Sequence, residues 1–393
     1  MTRQRRAARR LGLLAMVLVA MPVAQGAAAD LLVIDHVDVI PMDTERVLRD
    51  YAVVVRDGRI VRLAASGTLP IPRDAQTIDG RNRYLLPGLA EMHAHLPSPR
   101  QRGMPQRQVL DLFVANGITT IRSMLGDSQH LELRAAVATG ATLGPRIVAS
   151  GPSFSGSSVD GVKAVVERVR AQKAAGYDFL KVHPGLSRRE FNALVEAASE
   201  AGIAFAGHVS VEVDLERVFA AGQASIDHLD GYARALLTPG ADATELETAF
   251  FGLRLAPRAD PERLALLARQ TAAAGVWNVP TQLLIEHIAG TRDTEALSGL
   301  PEMRYVPAPV VTGWADARQR FLAAPGLTAP VRESAIALRR ALIGALNNAG
   351  AGLLLGSDAP QVFNVPGFSA HRELELLVAA GLTPFEALAT ATV

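Results

Sequence analysis

The run Leu86-Pro87-Gly88-Leu89-Ala90-Glu91-Met92-His93-Ala94-His95-Leu96 decides how this chain reads. Pro-Gly opens it, a short apolar stretch follows, and two histidines at i, i+2 close it. Side chains on a strand repeat every two residues, so His93 and His95 face the same way. Two imidazoles aimed at one point are half of a metal site. The surroundings place the pair at the end of a buried strand. Alone, such a pair also occurs on surfaces that bind nothing, so the rest of the chain must decide.

Four further polar residues close short apolar runs downstream. Lys181 ends Tyr177-Asp178-Phe179-Leu180, and His208 follows Gly202-Ile203-Ala204-Phe205-Ala206-Gly207. His228 follows Ala224-Ser225-Ile226-Asp227, and Asp358 follows Ala351-Gly352-Leu353-Leu354-Leu355-Gly356-Ser357. Helix-like segments lie between, at Arg188 to Ala201, Asp214 to Ala221 and Arg332 to Ala349. Strand-then-helix units imply a parallel sheet with crossover helices. Polar residues at the carboxyl ends of such strands converge at one mouth of a (β/α)8 barrel. The expected fold class is therefore α/β, a TIM-like (β/α)8 barrel. Each residue also has a plainer reading. Lys181 could extend from a strand end to water, His208 and His228 could be core histidines, and Asp358 could cap a helix in Ser-Asp-Ala-Pro. His36, His130, His287 and His371 read as surface or structural residues.

The set Pro-Gly-Leu-x-x-Met-His-x-His, a strand-end Lys, two later strand-end His and Gly-Ser-Asp-Ala resembles the amidohydrolase superfamily. Within it, the chain is similar to the imidazolonepropionase-like and Xaa-Pro dipeptidase-like members over roughly residues 30 to 393. The resemblance implies two divalent metal ions, zinc being expected. His93 and His95 would bind one and His208 and His228 the other. Lys181 would carry a CO2-derived carbamate bridging both, and Asp358 would touch the first metal and handle protons. Such a pair polarises a carbonyl and generates a bridging hydroxide at neutral pH, while a carboxylate can act as general base and then acid. The implied activity is hydrolysis of an amide- or peptide-like carbon–nitrogen bond in a small or short peptide-like substrate. Ester, lactone or phosphoester hydrolysis, and a non-catalytic binding role, are the alternatives on the same scaffold.

The chain has 393 residues, is 49% hydrophobic and carries a formal charge of +1. That suffices for a large core and is too balanced for a nucleic-acid binder. The Arg-rich stretch Arg3 to Arg10 precedes the apolar run Leu11 to Val23 and a small-residue stretch ending at Ala29. Residues 1–29 thus read as a signal peptide, too short in its apolar run for stable membrane insertion. The expected address is export, to the periplasm. Cysteine is absent, which excludes disulfides, thiolate ligands and a Cys nucleophile.

Residues 30 to 86 read as a small β domain with strands at Leu31 to Ile40, Tyr51 to Arg56, Arg59 to Leu63 and Ala75 to Ile78. Asp57-Gly58 is a hairpin turn. The barrel is expected over 87–393. Two stretches, Tyr232 to Pro261 and Glu286 to Val331, fit no βα unit. Both are expected to overhang the site, or else to pack on the barrel side or form a homo-oligomer contact. Arg122, at the end of the second barrel strand, is a candidate for gripping a substrate carboxylate, or a structural ion-pair partner. His183, Tyr232 and Gln361 lie near ligand strands and are further substrate-binding candidates. Relatives carry later strands that complete the small β domain, so the chain reads as truncated at its carboxyl end. Glu91 stands where they more often have Asp.

Overall fold

The computed structural model describes residues 31–98, 103–238, 240 and 250–393. The expected signal peptide, 1–29, lies outside the described residues, as does most of 239–249 within the first insertion. Two compact units form, one from residues up to Pro41 with Arg46–Leu85, the other from Met42–Glu45 with Leu86–Val393.

The first unit is a sheet of β1 (Leu31–Val39), β2 (Leu48–Arg56), β3 (Arg59–Ala65), β4 (Gln76–Asp79) and β5 (Tyr84–Leu85). Its order is β3-β2-β1-β4, with β5 on β1. Asp57 and Gly58 have φ of 50° and 73°, the left-handed pair that the Asp-Gly hairpin turn requires. They set the Arg56↔Arg59 register. Val37, Val39 and Val53 form its small core. Ile60 and Val61 on β3 remain 71% and 55% exposed.

The second unit carries β6 (Leu89–Ala94), β7 (Ile118–Ser123), β8 (Arg146–Ala149), β9 (Phe179–Val182), β10 (Ala204–Gly207), β11 (Ser225–Asp227) and β12 (Trp277–Val279). Every pairing among them is parallel, in the orders β6-β7-β8 and β9-β10-β11-β12. Parallel bridges join Ser150 to Phe179, Asn278 to Leu353 and Ala94 to Ala359. Residues 353–359 thus lie against both β12 and β6, with Leu354 N–H donating to Asn278 O and Met92 N–H to Leu355 O.

Helices alternate with the strands because the sequence caps them. Ser187 and Glu190 form a capping box on Arg188–Ala201, which stops at left-handed Gly202. Asp214 caps Leu215–Ala221, which stops at Gly222. These signals fix where each crossover starts and ends, and so where the next strand begins. β9 is buried at every residue, as expected for a parallel strand covered on both faces.

The helix-cap reading of Asp358 is not what forms. The next helix starts at Phe368, and residues 357–364 run as irregular chain with isolated bridges and a turn. The Ser-Asp-Ala-Pro signal is overridden by pairing with β6, where Asp358 N–H donates to His93 O.

Candidate metal centre

The strand ends bring five imidazoles into one row. Ring centroids lie 5.4 Å apart for His95 and His93, 4.6 Å for His93 and His228, 4.6 Å for His228 and His208, and 4.8 Å for His208 and His183. Asp358 faces the first part of this row. Its Oδ1 is 2.6 Å from His95 Nε2 and 3.4 Å from His93 Nε2. One donor atom from each of His93, His228 and Asp358 lies within 4.8 Å of the others. Asp358 is buried among these rings. A buried carboxylate is costly without a counter-charge, and a cation held between it and the imidazoles would supply one. The donor set of nitrogens and a carboxylate oxygen suits zinc and related divalent ions.

Neighbouring side chains engage Nδ1 of two of these rings. Asp230 Oδ2 sits 2.7 Å from His208 Nδ1 and accepts its proton. Thr281 Oγ1 sits 2.7 Å from His228 Nδ1. In both rings Nε2 keeps its lone pair, the arrangement metal-bound histidines adopt. Burial holds His228 well below the usual imidazole range and brings His93 down to about 4, the latter partly opposed by Asp358. Both are therefore neutral, ligand-competent rings at physiological pH. His228 and Asp358 sit at φ of 61° and 63°. Non-glycine residues in this region carry backbone strain, a feature that clusters at functional sites.

Lys181 lies in β9 with its side chain fully buried, its Nζ 2.6 Å from Asp227 Oδ2. It does not line the cavity above the histidines, whose volume is about 1200 Å³.

The profile of the amidohydrolase family matches residues 84–393, most of the chain. The chain belongs to the amidohydrolase family. Among solved structures, a bottromycin amidohydrolase superposes with TM-score 0.68 at 25% identity, covering 91% of this chain and 76% of that one. A Xaa-Pro dipeptidase with bound methionine superposes with TM-score 0.62 at 19% identity, covering 92% and 87%. An imidazolonepropionase from Aromatoleum aromaticum is 54% identical over 50 residues. The chain matches its curated relatives over only 11–12% of their own length.

The remaining predicted residues of this chain divide. His183 and Gln361 line the cavity beside His93, His95, His208, His228 and Asp358. Arg122 and Tyr232 are absent from its described lining. Arg122 is directed inward, where its Nε donates to Met92 O at 2.7 Å and its Nη2 to Ser225 Oγ at 2.9 Å. Tyr232 is fully buried and bonds through its hydroxyl to Asn278 and Thr271. Both therefore act as framework in this structure. The two irregular insertions do wall the cavity, through Leu237, Phe251 and Leu255 from the first and Ile288 and Phe321 from the second. His287 and His130 are buried at structural positions.

Sequence reasoning missed Asp227, Asp230, Thr281 and Arg339. The first two flank His228 at one and two residues, a visible signal. Arg339 came from mid-helix with no motif, yet its guanidinium donates to the carbonyls of His228 and Pro280.

Proposed function

We propose that this amidohydrolase is a metal-dependent hydrolase of amide-type carbon–nitrogen bonds, exported from the cytoplasm and built on a closed (β/α)8 barrel. The observation that carries the reading is the convergence of four strand-end histidines and Asp358 on one cavity, with two of the rings held through Nδ1 by Asp230 and Thr281. His93, His95, His208, His228 and Asp358, with Lys181 as its carbamate, would hold two divalent ions, zinc in our reading. When bound, such a pair supplies Lewis-acid polarisation and a water acidic enough to ionise near neutrality.

The chain's own part is positional. Asp358 Oδ1, buried beside His95 Nε2, takes the proton from the attacking water and delivers it to the leaving nitrogen. His183 and Gln361 flank the substrate on the cavity wall. The apolar wall favours a substrate with a bulky apolar group next to the scissile bond. The bottromycin amidohydrolase and the Xaa-Pro dipeptidase among the structural neighbours support amide over ester chemistry. The Arg3–Arg10 stretch and the apolar run behind it support export. Among the described residues no helix is long and apolar enough to cross a membrane.

The test is metal content together with turnover of a panel of N-acyl amino acids, dipeptides, esters, lactones and phosphoesters. Asp358→Asn should keep metal and lose hydrolysis. Full activity in that variant, or a wild type that holds no metal, would overturn the reading.

A further inference from the structure

Three charged side chains from three strands meet beneath the histidine row: Arg122 on β7, Lys181 on β9 and Asp227 on β11, with exposures of 7%, 0% and 0%. Asp227 Oδ2 pairs with Lys181 Nζ at 2.6 Å. Its other oxygen, Oδ1, lies 3.4 Å from Arg122 Nη2 and 3.3 Å from Ser225 Oγ. His93 Nδ1 also approaches Oδ2, at 3.4 Å. One buried anion therefore faces two cations, although the lysine alone would neutralise it. The second cation is also anchored to Met92 O, and to Ser225 Oγ, which itself donates to Asp227.

We propose that Arg122 is a positioning residue: it is the permanent counter-ion of Asp227, and so frees Lys181 to exchange its ion pair for a carbamate. This rests on the reading of Lys181 as a carbamylated ligand. In that step the ammonium first gives a proton to water, and the neutral amine nitrogen then attacks the carbon of carbon dioxide. An N–C bond forms, one C=O electron pair moves onto oxygen, and a proton leaves the nitrogen for water. The side chain passes from +1 to −1 while Asp227 stays beside it. Two buried anions at such range repel strongly. Without a fixed cation, Asp227 would hold Lys181 as its own partner. Arginine suits the task because its guanidinium stays charged and is held by a fixed fork of donors.

The experiment uses the full chain incubated with 13C-bicarbonate and zinc. It reads the carbamate carbon by 13C NMR and metal per chain by elemental mass spectrometry. Arg122→Leu should lose at least about tenfold in carbamate signal at limiting bicarbonate, and metal with it. Arg122→Lys should recover most of both. Asp227→Asn should load at a bicarbonate concentration no higher than wild type needs, and Arg122→Leu/Asp227→Asn should load better than Arg122→Leu. A purely structural role for Arg122 would lower stability in Arg122→Leu without rescue by removing Asp227. Should Arg122→Leu not fold, Asp227→Asn alone decides, and poorer loading than wild type overturns the proposal. Full carbamate signal in folded Arg122→Leu also overturns it, while leaving the metal-dependent reading intact. A wild type with no carbamate signal removes the dinuclear reading and this proposal together.

Discussion

Thr281 accepts a hydrogen bond from His228 Nδ1 at 2.7 Å while donating its own proton to Pro280 O at 2.7 Å. A hydroxyl has one proton. With that proton directed to Pro280, only its lone pairs are left for His228, so Nδ1 carries the hydrogen and Nε2 is the ligand atom. Thr281→Val keeps the branched shape at φ 49° but removes the acceptor. We expect metal affinity to fall by about 10–100-fold, the usual cost of losing a partner behind a ligand, with Thr281→Ser close to wild type. Competition against a chelator of known affinity checks this. Equal affinities for Val and wild type would show that the hydroxyl does not select the tautomer.

How much of this was legible in the sequence follows from the range of each interaction. β9 and β10 with their flanking helices were readable because capping residues and apolar runs are local signals. Lys181, His208, His228 and Asp358 were readable because each ends such a run. The partners that orient them were not. Thr281 reaches His228 across 53 residues and Lys181 reaches Asp227 across 46, and nothing in the local pattern specifies these pairs. Arg122 shows the same limit. Its position at a strand end left open a grip on substrate or a structural ion pair, because strand direction alone does not say whether a long side chain turns toward the cavity or under its floor.

Gly356 marks where the chain preceding Asp358 closes on β6. A Cβ there would lie 2.3 Å from Val279 Cγ1, 2.9 Å from His93 Cβ and 3.0 Å from His93 N. The last of these is backbone of a ligand residue and cannot rotate away. Gly356→Ala should therefore push Asp358 and His93 apart, destabilise the fold by about 1–3 kcal/mol and reduce bound metal. Thermal unfolding and metal content of the variant test this. An unchanged Tm with full metal would mean that the two segments separate without cost.

His287 provides a pH dependence outside the metal set. It is buried, its Nδ1 lies 2.7 Å from Asn364 Oδ1, and its pKa is brought down to about 4, chiefly by burial. An unfolded histidine titrates near 6.5. Between those values the unfolded chain takes up a proton that the folded chain refuses, so stability is full above about pH 6.5 and falls as the pH drops toward 4. The shift corresponds to roughly 3 kcal/mol at most. His287→Gln keeps a donor for Asn364 without the titration. Denaturant unfolding at several pH values should show a shallower acid loss for the variant than for wild type. Parallel profiles would assign the acid sensitivity to other groups.

The cavity wall makes a prediction about selectivity. Ile288 and Phe321 come from the second insertion, while Phe251 and Leu255 come from the first, and together they present apolar surface opposite the histidine row. Phe251 lies over His228, with ring centroids 5.0 Å apart, so the apolar surface reaches the reacting centre itself. A substrate group seated there gains about 25 cal/mol for each Å² of apolar area it buries. Placing a carboxylate in that wall forces it either to lose water or to keep water in the cavity. Ile288→Asp should therefore raise KM for substrates with a bulky apolar group by about 10–100-fold, in line with the 1–3 kcal/mol that such pockets discriminate. Substrates with small side chains should lose much less, and metal content should stay at the wild-type value, because Ile288 is not one of the proposed metal ligands. The measurement is KM and kcat across a side-chain series with metal determined in parallel. A uniform change across that series would show that the wall does not contact the substrate and that selectivity is set elsewhere in the cavity.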